Sequence, residues 1–227
     1  MFSFLRGSLF PSRCLLCSGQ ELVRHGVCGG CRTQIRTIPG PVCDVCGKAV
    51  GTPGTCLECQ LNPPPYDRVL SVCRFEGLMR EVILRFKYRR STVFKRFLAE
   101  LLYTALSRED VSPDILTFVP LHWTRMIRRG YNQSALIARE LSGYMGMSVR
   151  YGILRKSRNT PSQVGLERKD RERNLRSAFS ARGVEGKSVM VIDDVITTGQ
   201  TAREVSRTLK RAGASRVIFA SIGRTFS

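Results

Sequence analysis

The sequence predicts an α/β domain with a mostly parallel sheet and flanking helices, preceded by a small zinc-stapled domain. Three observations carry this reading: four paired-cysteine knuckles before residue 61, a Pro-rich connector at Asn62–Tyr66, and alternating strand-like and helix-like stretches from Arg68 onward. Such alternation argues for parallel strands joined by crossover helices, with ligands beyond the carboxyl ends of the strands.

The knuckles are Cys14-Leu-Leu-Cys17, Cys28-Gly-Gly-Cys31, Cys43-Asp-Val-Cys46 and Cys56-Leu-Glu-Cys59, separated by 10, 11 and 9 residues. Two thiolates two residues apart grip one tetrahedral ion, and a second knuckle completes the set of four. All-cysteine sites keep no open position, so two structural Zn²⁺ are expected rather than a catalytic metal. Sequential pairing is preferred, with Cys14, Cys17, Cys28 and Cys31 on one ion and Cys43, Cys46, Cys56 and Cys59 on the other. An interleaved arrangement uses the same ligands, and spacing does not exclude it. Metal would replace the core that about sixty residues cannot build. The ninth cysteine, Cys73, stands alone in a strand candidate and reads as a small buried hydrophobe; His25 reads as a loop residue.

The stiff Asn62-Pro63-Pro64-Pro65-Tyr66 connector sets the expected boundary, giving a zinc domain at 1–61 and a second domain at 66–227. Strand candidates there are Arg68–Phe75, Ile115–Val119, Val149–Leu154, Ser188–Asp193 and Arg216–Ser221. Helix candidates are Leu78–Tyr88, Thr92–Ser107, Gln133–Met145 and Thr201–Ala212. No apolar run reaches 18 residues, so no membrane span is expected. Residues 1–10 lack the features of a signal peptide. A cytoplasmic protein is the simple expectation, and nine cysteines there do not imply disulfides.

The chain carries a net charge of +19. Residues 1–61 hold +3, which two zinc ions with eight thiolates would bring to −1, and residues 62–227 hold +16. The basic surface therefore belongs to the second domain and points to polyanionic partners.

The most informative stretch is Val189-Met190-Val191-Ile192-Asp193-Asp194-Val195-Ile196-Thr197-Thr198-Gly199-Gln200-Thr201-Ala202. An apolar strand ends at two acids, then a small polar loop opens a helix. Threonine hydroxyls, free N–H groups and the positive end of the helix dipole make an anion cradle, and Gly199 lets the backbone approach a phosphate. Two carboxylates fit a ligand that also brings vicinal hydroxyls and a divalent cation. No Gly-x-x-x-x-Gly-Lys-[Ser/Thr] occurs, so a nucleoside-triphosphate P-loop is not supported.

Asp193-Asp194-Val195-x-Thr197-Thr198-Gly199-x-Thr201 resembles the signature of type I phosphoribosyltransferases, which bind 5-phosphoribosyl-1-pyrophosphate (PRPP) with Mg²⁺. By that likeness Thr197, Thr198, Gly199, Gln200 and Thr201 hold the 5′-phosphate, while Asp193 and Asp194 hold the ribose and serve as the catalytic acids. Val119-Pro120-Leu121-His122, Arg128-Arg129-Gly130-Tyr131-Asn132-Gln133, and Thr160-Pro161-Ser162-Gln163-Val164-Gly165-Leu166 running on to Arg171 and Asn174 resemble the ComF-type competence family. The four knuckles resemble the double zinc ribbon that precedes the domain in that family. The likeness implies a pyrophosphate loop at Leu121, His122 and Arg125, and a flap within Arg155–Arg176. Phe118 departs from the family pattern, which has proline there.

Two function classes follow. One is a phosphoribosyltransferase making an N-glycosidic product in nucleotide metabolism, where acids near the ribose and cations near the pyrophosphate answer the charge that develops. The other, favoured, is a PRPP-binding protein of natural transformation that handles incoming single-stranded DNA, the family being associated with a DExD-box helicase encoded alongside. Aromatics interleaved with cations at Arg85–Arg90 and Arg129–Tyr131 suit single strands. Lys87, Arg89, Arg128, Arg129, Arg168 and Arg171 are the expected nucleic-acid contacts. His122 reads as positional rather than as a proton donor.

Overall fold

The strands Ser188–Ile196 and Arg216–Arg224 carry apolar residues on both faces, as strands do when helices cover a parallel sheet from either side. The computed structural model describes residues 13–88, 91–156 and 178–226. In chain order its elements are α1 (Gly29–Thr33), α2 (Leu57–Leu61), β1 (Arg68–Arg74), α3 (Gly77–Tyr88), a 3₁₀ turn (Thr92–Phe94), α4 (Lys95–Leu106), β2 (Ile115–Phe118), α5 (Trp123–Arg129), α6 (Gln133–Met145), β3 (Leu154–Lys156), β4 (Phe179–Ala181), β5 (Ser188–Ile196), α7 (Gln200–Arg211) and β6 (Arg216–Arg224). The main sheet runs β1-β6-β5-β2, all parallel, with Asp193 beside Ser221 and Ile196 beside Arg224.

Period-two alternation divides the core. Met190, Ile192, Ile218, Ala220 and Ile222 face α3, α4 and α6, meeting Ile83, Phe86, Phe97, Leu102, Ile137 and Leu141. Val189, Val191, Val217 and Phe219 face the other way, onto Val205 and Leu209 of α7. Each large side chain buried this way contributes roughly 1.5–3 kcal/mol of transfer free energy, which positions the ends of β5 and α7 firmly.

The cysteine segment is built into both halves of this core. Cys14, Cys28 and Cys31 join the cluster containing Phe97, and Cys43, Cys46 and Cys59 join the one containing Tyr66, Val69 and Phe219. Between them the backbone lies along the outer edge of β1. Ile38 N–H donates to Val72 O at 3.3 Å, Arg74 N–H to Arg36 O at 3.0 Å and Val69 N–H to Val45 O at 2.8 Å. A sheet edge that would otherwise offer unpaired backbone groups is thereby covered. The buried Arg224, at the end of β6, donates through Nη1 to the Cys46 carbonyl.

Four of the five expected strands and all four expected helices appear, with ends matched or shifted by up to three residues. The exception is Val149–Leu154. Only Val149 pairs there, in parallel with Leu116. The chain then turns through Gly152, at φ 77°, and β3 starts at Leu154 as one arm of an antiparallel hairpin with β4. Helix α5 was not among the helix candidates: it is seven residues long, and its apolar Trp123, Met126 and Ile127 are exposed instead of buried. Cys73 is fully buried, as expected, and burial pushes its thiol up to about 12.

Candidate functional site

The carboxyl end of β5 places Asp193 and Asp194 side by side, and the loop Thr197–Gly199 turns into α7. Gly199 is the N-cap of that helix at φ 73°, a left-handed conformation that costs glycine little and other residues more. The first intrahelical bond is Arg203 N–H to Gly199 O at 2.9 Å, so the N–H groups of Thr201 and Ala202 lie in the first turn, where a helix supplies no carbonyl of its own. Asp193 and residues 195–202 line a small depression here, of which Asp194 is not part. Thr197 and Thr198 are exposed and Gly199 and Thr201 are partly so, whereas the Gln200 side chain is buried and offers the ligand only its backbone.

The acid pair is held asymmetrically. Asp193 accepts from Ser134 Oγ at 3.2 Å and from the Asp194 N–H at 2.9 Å. Removal from water pushes the Asp193 carboxyl up to about 7, and the neighbouring Asp194 charge adds to the rise, against opposition from Lys87 and the two hydrogen bonds. Asp194 is ion-paired to Lys87, Nζ to Oδ1 at 2.8 Å. Lys87, expected to meet nucleic acid, thus faces inward onto the acid pair.

The Arg129–Gln133 motif is what aims Lys87. Gly130 ends α5 in the left-handed region at φ 81°. Tyr131 donates its hydroxyl to Phe86 O, Gln133 Nε2 reaches Lys87 O at 3.4 Å, and Arg129 bonds Gln133 Oε1 at 3.1 Å and stacks over Tyr88 at 5.1 Å. Asn132, buried, caps α6 by accepting from Ala135 N–H at 3.2 Å and donates Nδ2 to Val119 O at 2.9 Å. One five-residue turn therefore ties the ends of α3 and β2 to the start of α6.

The expected pyrophosphate loop follows β2. His122 is buried and caps α5, its Nδ1 accepting from Thr124 N–H at 3.4 Å, which is a positional role. Leu121 is partly buried beside it. Arg125 is partly buried, and its pKa is lowered by burial and by Arg129 and Arg128. Sequence reasoning missed Lys156 as a site residue: it lies at the end of β3, and burial, with Arg125 nearby, lowers its pKa to about 8 while Asp193 opposes the shift. Of the proposed nucleic-acid contacts, Arg128 is exposed and Arg129 partly buried. Arg89, Arg168 and Arg171 lie outside the described residues, as does the expected flap beyond Lys156.

The eight knuckle cysteines form two groups, Cys14, Cys17, Cys28 and Cys31, and Cys43, Cys46, Cys56 and Cys59, with the sulfurs of each group within 4.8 Å of one another. Sequential pairing is therefore the observed arrangement. Cys14–Cys31, Cys17–Cys28 and Cys46–Cys56 sulfurs lie 3.7, 3.5 and 3.8 Å apart. A tetrahedron with Zn–S bonds of about 2.3 Å has edges of about 3.8 Å, so these donors fit zinc. Backbone N–H groups support the sulfurs, as Cys28 N to Cys14 Sγ at 3.4 Å and Cys56 N to Cys43 Sγ at 3.2 Å.

Residues 5–60 match the double zinc ribbon domain family, and residues 128–224 match the phosphoribosyl transferase domain family. The chain is 32% identical over 221 residues to Competence protein F of Haemophilus influenzae, covering 92% of this chain and 96% of that one. It is 32% identical to the DNA utilization protein YhgH of Escherichia coli K12, covering 91% and 94%. To Competence protein ComFC of Bacillus subtilis it is 28% identical, covering 91% and 92%. At 32% identity over more than nine-tenths of both chains, with a double zinc ribbon followed by a phosphoribosyl transferase domain, the chain belongs to the ComF-type competence protein family.

Proposed function

We propose that the chain binds PRPP with Mg²⁺ at the β5–α7 turn and acts in natural transformation, handling incoming single-stranded DNA in the cytoplasm. One observation carries the reading: the acid pair of β5 and the amino end of α7 meet at one strand end, in a chain related over nine-tenths of its length to proteins named for competence and DNA utilization. In this reading Thr197–Thr201 take the 5′-phosphate, Asp193 and Asp194 the ribose hydroxyls, and Arg125 the pyrophosphate. When bound, Mg²⁺ supplies positive charge to the pyrophosphate, and oxygen donors are its preferred ligands. A ribbon at 1–61 and a PRPP-binding domain at 66–227 are the functional units, with a DExD-box competence helicase as the proposed partner. Support for single strands comes from the +16 after residue 61 and from α5, where Trp123 and Ile127 are 65% and 71% exposed beside Arg128. Exposed aromatics next to cations are the surface on which unpaired bases stack.

Calorimetric titration of PRPP, with and without Mg²⁺, into the wild-type protein and an Asp193→Asn/Asp194→Asn variant tests the site, with Trp123 fluorescence as a second reporter. Saturable, Mg²⁺-dependent binding that the variant loses is expected. No binding to folded, zinc-loaded protein would remove the reading. For the nucleic-acid arm, single-strand affinity should fall steeply with salt; absence of affinity at low salt would remove that arm alone.

A further inference from the structure

Lys87 raises a question that the ribose-phosphate reading does not answer. A lysine side chain that is only 17% exposed gains by being paired, and its ammonium sits 2.8 Å from a carboxylate oxygen of Asp194, itself 11% exposed. The contact is no accident of a long side chain lying across a surface. The carbonyls of Phe86 and Lys87 are pinned by Tyr131 and Gln133, so the last turn of α3 is held with its charge directed at the acid pair. The other groups that act electrostatically on Asp193 and Lys87's neighbourhood are Ser134, which hydrogen-bonds Asp193, and Lys156, which Asp193 influences. Two adjacent carboxylates at a strand end would ordinarily attract a hard divalent cation. Here one of them already has a resident monovalent one.

We propose that Lys87 is a ligand-positioning residue whose ammonium is the resident counter-ion of Asp194: it keeps free divalent metal off the acid pair, and it shares that carboxylate with ligand hydroxyls when a ribose 5-phosphate ligand enters. This builds on the ribose-phosphate reading. It implies that the metal arrives on the ligand's pyrophosphate instead of waiting on the aspartates. The charge of Lys87, and not its bulk, is the operative property.

The test is a Mn²⁺ titration of zinc-loaded protein, read by loss of the free-ion electron paramagnetic resonance signal with no PRPP present. Thiolate sites filled with zinc do not exchange it readily for the harder Mn²⁺. Wild type and Lys87→Arg should bind no Mn²⁺ at the acid pair. Lys87→Met should gain one Mn²⁺ site that wild type lacks, since loss of a neighbouring like charge favours the cation, and Lys87→Met/Asp194→Asn should lose it again. Lys87→Gln repeats the measurement with a polar side chain if the methionine variant fails to load zinc. A wild-type Mn²⁺ site that Asp194→Asn abolishes, or no gain in a zinc-replete neutral variant, would overturn the proposal. In a second arm, Lys87→Met should weaken Mg·PRPP binding roughly tenfold or more; an unchanged affinity overturns the positioning role. Failure of wild type to bind PRPP at all would count against the ribose-phosphate reading, while the Mn²⁺ result reports on the lysine separately.

Discussion

Asp193 makes the ligand-free fold sensitive to pH in a direction opposite to that of most carboxylates. Its pKa is raised to about 7 by burial and by Asp194, so the folded state holds this proton more tightly than the unfolded chain does. The resulting stabilisation is fully present below the ordinary carboxylate range, declines as pH rises from there, and is lost once pH passes about 7. Asp193→Asn keeps an oxygen for Ser134 and for the Asp194 N–H but removes the charge. It should be near-neutral at pH 4 and stabilising by about 1–2 kcal/mol at pH 8, a few degrees in melting temperature. A stabilisation that does not grow with pH would contradict this assignment. The acids and the Thr197–Thr201 loop were legible in the sequence because they are consecutive and their chemistry depends on one strand end. The ion pair of Lys87, expected instead as a DNA contact, was not legible for the converse reason: its partner lies on a distant strand, and a basic aromatic run looks the same whether it faces water or a carboxylate.

Among the elements, the α5–α6 corner shows how a motif can serve geometry. Asn132 both caps α6 and satisfies the carbonyl of Val119. Asn132→Ala removes the cap and leaves a carbonyl without its donor, and should cost about 2–3 kcal/mol. Asn132→Asp keeps the cap but turns a carboxylate toward Val119 O, so it should remain destabilising despite the preserved cap. Equilibrium denaturation of the two variants separates the effects; equal stability of Asn132→Asp and wild type would show that the Val119 bond contributes little. These partners are backbone atoms on α3 and just after β2, which no local pattern announces. Hence Arg129–Gln133 was visible as a motif while its bracing role was not. Helix α5 lay outside the expected helices because it is only seven residues long, and its apolar Trp123, Met126 and Ile127 face solvent rather than a core.

At the scale of the whole molecule, the cysteine segment is continuous with the sheet's two cores rather than an appendage to them. Its knuckles predicted zinc correctly because four thiolates in pairs state their own geometry. Where the ribbon would dock was not legible, because it depends on which edge the topology leaves open. Zinc-replete protein should therefore melt in one cooperative transition, and zinc removal should lower that transition for the sheet as well as for the ribbon. Calorimetry of chelated and zinc-loaded protein decides this, and two independent transitions would show that the ribbon folds by itself. A chain beginning at Tyr66 should lose solubility, since it exposes the β1 edge and the surfaces around Val69 and Phe97.

The position of β6 has a consequence for the order of events during synthesis. It follows every other strand in the chain, yet it lies between β1 and β5 in the sheet. Until it emerges, β1 is a strand without a sheet, and β5 and β2 are a pair without their inner neighbour. Domains generally fold as units while they are made, and unpaired strands in the interval are exposed to aggregation. The ribbon is translated before any of them and pairs with the side of β1 that β6 does not need. Zinc loaded early would thus guard one flank of the nascent first strand while the other waits for its partner.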